Sequence, residues 1–76
     1  VDGRGGGVTL LDRFIEAHGI DAEELANLAG VSASHLVRLR SGQSLPTRLV
    51  MIRIARACSW ITRETVYGWE LFDRVL

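Results

Sequence analysis

Lysine is absent from this 76-residue sequence, cysteine and proline occur once each, and acids and bases cancel to a formal net charge of zero. Each shortage excludes something. A lone Cys58 rules out an internal disulfide, and a reducing cytoplasm is the compartment that suits it. Together with His18 and His35 it falls short of a four-ligand zinc site unless carboxylates or a second chain contribute, so no metal and no cofactor are expected. No apolar run approaches the roughly 18–20 residues that span a bilayer, and the opening residues lack the basic-then-apolar order of a signal peptide. Enzyme chemistry finds no foothold either. No serine or cysteine nucleophile stands at a working spacing from a histidine, and the glycine run at 5–7 precedes no strand and carries no lysine.

What is present is ordinary for a globular fold: 47% of the residues are hydrophobic, and the length allows one domain with a modest core. Residues 1–7 read as a flexible lead, either an expression remnant or a fragment end. A basic arm is the weaker reading, because Asp2 offsets Arg4. Residues 8–76 form the domain. Its charges are segregated. Five acids (Asp12, Glu16, Asp21, Glu23, Glu24) face one arginine between Val8 and Gly30. From Val31 to Arg63 there are six arginines and no acid. A neutral total therefore conceals a polarised molecule, and the local field matters more to a polyanion than the sum. The use of arginine throughout is open to two readings, a GC-rich genome or the fit of arginine to phosphate and guanine geometry.

The apolar periodicity predicts an all-α fold with no hairpin and no repeat. The first helix is expected over Leu10–His18, capped by Thr9, with Leu10, Leu11, Phe14, Ile15 and His18 on its buried face and Gly19 as its stop. The second runs from Ala22 to Leu28, with Asp21 and Glu24 as a capping box and Gly30 after it. The third follows Ser32 and closes at Gly42. The fourth starts behind Pro46-Thr47 and is expected to reach Cys58, burying Val50 or Met51, Ile54, Ala55 and Cys58. A turn at Ser59-Trp60 then leads to a last helical stretch from about Thr62. Gly68 is a candidate break in it, leaving Trp69, Phe72 and Leu76 as one face with Leu71 and Val75 beside it.

The informative block is AEELANLAGVSASHLVRLRS, residues 22–41. Two short helices crossing steeply need a small residue where their axes approach, and Ala26 is there. They need a positive-φ residue in the turn, which Gly30 supplies. They also need apolar groups at fixed offsets, supplied by Leu25, Ala29, Val31, Leu36 and Leu39. The outer face of the third helix is then left to Ala33, Ser34, Val37, Arg38 and Ser41. These are small apart from one arginine, so the helix can approach a major groove closely. Arg38 is the candidate for direct readout, because one guanidinium can bond guanine O6 and N7 together. Val37, with no reason to be buried, is a candidate for thymine-methyl contact. Arg40, Arg48 and Arg53 read as phosphate clamps, and His35 equally as a backbone contact or a packing residue. Arg56 and Arg63 read equally as solvated helix-face charges.

This block resembles the phage-repressor-like helix-turn-helix domains, the Xre or lambda-repressor-like family. The resemblance runs from Gly19-Ile20 to about Thr65 and takes in GIDAEELANLAGVSASHLVRLRSG, then Leu45-Pro46-Thr47 and MIRIARA. It implies a compact five-helix fold and a two-fold homodimer on a pseudo-palindromic operator in double-stranded DNA. It implies helix 33–40 in the major groove with base contacts from Ala33, Ser34 and Arg38. Phosphate contacts would come from the start of the second helix and from Gln43, Thr47 and Arg48, with Ser32 and Ser41 completing that set. Two positions depart from the family: Ala22 where a glutamine is common, and Arg40 where an acid is common.

The function expected is that of a prokaryotic or phage transcriptional regulator, a repressor acting in the cytoplasm at the nucleoid. The competing expectation is a protein-interaction adaptor or antitoxin on the same scaffold, with a protein partner. Trp60, Trp69 and Phe72 are bulky for the end of so small a domain. They read equally as closure of the core and as a dimer interface.

Overall fold

A computed structural model describes residues 9–76; the expected lead over residues 1–7 lies outside them. Among the described residues there are four α-helices, α1 (Leu10–His18), α2 (Ala22–Ala29), α3 (Ala33–Ser41) and α4 (Arg48–Thr62). A single 3-10 turn, Gly68–Glu70, follows, and there is no strand.

Each helix starts where a side-chain oxygen can take an orphan amide. Thr9 accepts from Asp12 N–H, Asp21 from Glu23 and Glu24 N–H, Ser32 from His35 N–H, and Thr47 from Val50 N–H. The first three helices stop at glycines in the left-handed region, Gly19, Gly30 and Gly42. This cap-and-stop punctuation holds the helices to 8–9 residues, short enough that only packing keeps them folded.

The core joins Leu11 and Ile15 of α1, Leu25, Ala26 and Ala29 of α2, and Leu36 and Leu39 of α3. Ile54, Ala55, Ala57 and Cys58 of α4 and the later Val66 and Leu71 complete it. Leu10 and His18 are exposed rather than part of the α1 core face. His18 instead stacks on Phe14 at 4.1 Å and approaches its carbonyl through Nδ1 at 3.0 Å, a local arrangement at the helix end. Of the α4 residues expected inside, Val50 and Met51 are half-buried, and Ala57 joins the core in their stead.

Two expectations about the C-terminal third are corrected. The helix does not turn at Ser59-Trp60 but continues to Thr62 and ends on Arg63 at φ 61°. The Ser59 hydroxyl bonds back to the Ala55 carbonyl at 2.9 Å and accepts from Val66 N–H at 2.8 Å. A serine that suggests a turn from its type alone is here spent inside the helix and on the returning chain. Among the described residues no fifth α-helix forms. Gly68 lies against Met51, a single 3-10 turn lowers Leu71 into the core, and the tail is pinned by Leu76 N–H on the Pro46 carbonyl at 2.8 Å. Trp69 and Leu76 consequently face outward instead of sharing a packed face with Phe72, which is half-buried.

Candidate nucleic-acid interface

The turn between α2 and α3 sets the geometry. Gly30 at φ 74° reverses the chain, and its N–H closes on the carbonyls of Ala26 and Asn27. Val31 N–H bonds the Ala26 carbonyl at 3.0 Å, and Ser32 caps α3 at once. Leu36 and Leu39 anchor α3 from beneath. The opposite side is bare: Ala33, Ser34, Val37 and Arg38 are all exposed. Val37, a β-branched apolar residue, is 61% exposed, although water offers it nothing.

The candidate phosphate contacts lie at the start and along the length of α3, on the α3–α4 connection and on α4. Ser32 and Thr47 each accept an amide of their own helix at 3.0 and 3.2 Å, which leaves the hydroxyl hydrogen to donate elsewhere. Gln43 and Arg48 are exposed on the α3–α4 connection and the start of α4, and Arg53 is exposed farther along it. His35 is half-buried. Ser41 is half-buried as well, and its hydroxyl donates to the Arg38 carbonyl at 3.1 Å.

The four helix starts differ in charge. α3 and α4 carry no acid in the first turn, so the positive ends of their dipoles stand uncompensated. α1 carries Asp12 there, and α2 carries Glu23 and Glu24 behind the Asp21 cap. The start of α2, which the family resemblance puts among the phosphate contacts, is therefore the least welcoming of the four to an anion.

Arg40 is engaged within the fold. Its Nη2 lies 2.7 Å from Asp12 Oδ1 and 3.1 Å from Glu16 Oε2, and its Nε donates to Asp12 Oδ1 at 2.9 Å. A guanidinium held by two carboxylates has less charge to offer a phosphate than the open arginines have.

The aromatic candidates are split. Trp69 and Phe72 line a groove of about 410 Å³ with Met51, Ile52 and Val75, bordered by Asp73 and Arg74. Trp60, 75% exposed, lines a separate groove with Leu28, Arg53, Arg56 and Ala57. Tyr67 escaped the sequence reading. Its ring stacks on Trp69 at 4.5 Å and nearly parallel, at 4°, so a 70%-exposed tryptophan is held in place from one side.

Among the described residues no cluster of three His, Cys, Asp or Glu could hold a metal ion, and no helix is long and apolar enough to cross a membrane. Neither the curated proteins nor the solved structures give a significant match to the chain. A family model described as helix-turn-helix matches residues 11–59, well over half of the chain. That span begins inside α1 and ends inside α4, so it contains the α2–turn–α3 unit entire. The chain belongs to the Xre or lambda-repressor-like helix-turn-helix family, DNA-binding domains of the transcription-regulator type.

Proposed function

We propose that this domain reads a specific sequence in double-stranded DNA for a prokaryotic or phage transcriptional regulator, and represses by occupying an operator. The observation that carries the reading is the outward face of α3. Four small or groove-compatible side chains, Ala33, Ser34, Val37 and Arg38, are exposed on a helix whose other side is anchored in the core. Val37 stands where an apolar partner such as a thymine methyl can meet it, and Arg38 one turn from Ser34 is matched to a purine edge. Ser32, His35, Ser41, Gln43, Thr47, Arg48 and Arg53 would hold the phosphates on either side, which fixes register without reading sequence.

The working unit in this reading is a homodimer through the Trp69–Phe72 groove. Its rim offers both Asp73 and Arg74, so a two-fold axis can set each acid against the partner's base. Trp60 lies in the other groove and is left out of that interface. A second reading, an adaptor or antitoxin that also grips a protein, is favoured by that groove, where Trp60 and Leu28 are exposed beside Arg53 and Arg56.

Selection from a random double-stranded DNA pool tests the proposal. A two-fold-symmetric motif, bound more weakly as salt rises, is the expected result. Protein that is folded by circular dichroism yet enriches nothing would move the weight to the adaptor.

A further inference from the structure

We propose that Arg40 is a positioning residue for DNA readout: it locks the C-terminal end of α3 to α1 and so fixes the angle at which Val37 and Arg38 meet the bases. The inference rests on the reading that α3 reads DNA, and it changes what the last arginine of that helix does there.

The lock has two parts on two sides of one residue. The Arg40 side chain holds Asp12 through Nε at 2.9 Å and Nη2 at 2.7 Å, and Glu16 through Nη2 at 3.1 Å. The Arg40 carbonyl accepts from the Thr9 hydroxyl at 2.8 Å. Thr9 is itself the cap of α1, accepting from Asp12 N–H at 3.0 Å. One turn of α1 and one turn of α3 are thereby cross-linked through side chain and backbone at once. The Arg40 and Asp12 side chains are only 22% and 26% exposed, which shields that pair from the screening that makes open surface pairs nearly worthless; Glu16, 73% exposed, adds a weaker outer contact. A planar guanidinium spanning two acids also fixes direction as well as distance.

The placement matters for reading. Asp12, Val37, Arg40 and Ser41 line one shallow concavity, so the lock adjoins the reading face. Val37 and Arg38 project from the turn just before Arg40. Leu36 and Leu39 hold α3 to the core by non-directional contacts, which resist separation better than rotation. These two ion pairs are the only ones among the described residues, and both are spent on this helix end. A small roll of α3 would displace the tip of Arg38 by more than a bidentate bond to a guanine tolerates.

The test compares affinity for the selected operator with affinity for unrelated DNA, in wild type, Arg40→Ala, Arg40→Gln and the charge swap D12R/R40E, the swap being made together with E16Q so that the new carboxylate does not face Glu16. Each protein is confirmed folded by circular dichroism at the assay temperature. Positioning predicts that Arg40→Ala and Arg40→Gln lower the specific-to-non-specific ratio by about tenfold or more while non-specific affinity holds. It also predicts that D12R/R40E recovers the ratio to within a few-fold. If Arg40 instead gripped a phosphate, specific and non-specific binding would weaken together and the swap would stay weak. If it only stabilised the fold, the ratio would not change for the folded fraction. Either result overturns the proposal. Should the single variants not fold, a folded D12R/R40E that fails to discriminate overturns it as well. A wild type with no sequence preference would remove the reading beneath it, and that is seen separately, before any variant is compared.

Discussion

Cys58 shows how much one residue's surroundings add to its type. As a lone cysteine on the apolar side of a helix it reads as a small core residue, and it is fully buried. Burial among Ile54, Ala55 and their neighbours penalises the thiolate and pushes the thiol from 9.0 up to about 11. The folded state therefore binds the proton more tightly than the unfolded chain. The stability this gives is complete below about pH 9 and is lost as pH rises through about 11. With no lysine in the chain, few other groups obscure that window. Urea unfolding between pH 8 and 11 should show a falling stability whose slope, whatever the absolute value, is reduced in Cys58→Ala. Ellman's reagent should leave the native thiol largely untouched at pH 8 and titrate it on unfolding. A thiol that reacts freely in the native protein would contradict the burial.

The residues of the outer face of α3 were legible in the sequence because periodicity sorts a helix into two sides, and the side left after removing Leu36 and Leu39 is the exposed one. Arg40 was not legible as a lock. Its partners lie 28 and 24 residues away on another helix, and local spacing carries no information about which charges a crossing angle brings together. Burial of His18 was expected from position in the 3.6-residue repeat. The repeat says which direction a side chain takes, but α1 ends there and no neighbour covers it.

Among the elements, the three short helices were the easiest to foresee, since a cap oxygen before and a glycine after bound each of them chemically. Gly30 is the stop inside the helix-turn-helix. A Cβ there would meet little, the nearest atom being Arg53 Nη1 at 4.0 Å, so space is not what forbids a side chain. The φ of 74° is. Gly30→Ala should cost about 1–2 kcal/mol in chemical denaturation, with DNA affinity of the folded protein preserved. A loss below about 0.3 kcal/mol would mean that the turn relaxes and that the α2–α3 angle is not set there. The end of α4 and the missing fifth helix were harder, because both depend on tertiary contacts. Ser59 chooses the helix by bonding Ala55 and Val66, and the stop falls on Arg63, a residue type that announces no left-handed turn. The final segment is decided by Gly68 resting on Met51 and by Leu71 filling the core, neither of which has a sequence period.

At the scale of the whole molecule, the balance of charge matters less than its placement. The arginine block of residues 31–63 supplies exposed Arg38, Arg48, Arg53 and Arg56, while the acids of α1 and α2 lie outside that block. Phosphate-gripping members of this set should act alike on every sequence. Arg48→Ala is expected to weaken specific and non-specific DNA equally and to reduce the slope of log K against log salt by about 0.9. An unchanged slope would remove Arg48 from the interface. Association is the other global property. Trp69→Ala should lower self-association in sedimentation and weaken operator binding more than half-site binding, because the groove with Phe72 is where two copies would meet. Unchanged sedimentation would leave that groove to another partner.

The central claim is that α3 reads bases through Arg38, and its most direct test is the affinity of Arg38→Ala for a panel of single-base variants of the selected operator. Discrimination should collapse at one base pair in each half-site, by about 1–3 kcal/mol, while preferences elsewhere keep their order. A panel ranked as in the wild type, merely shifted to weaker binding throughout, would show that Arg38 holds the backbone and that the sequence is read by something else.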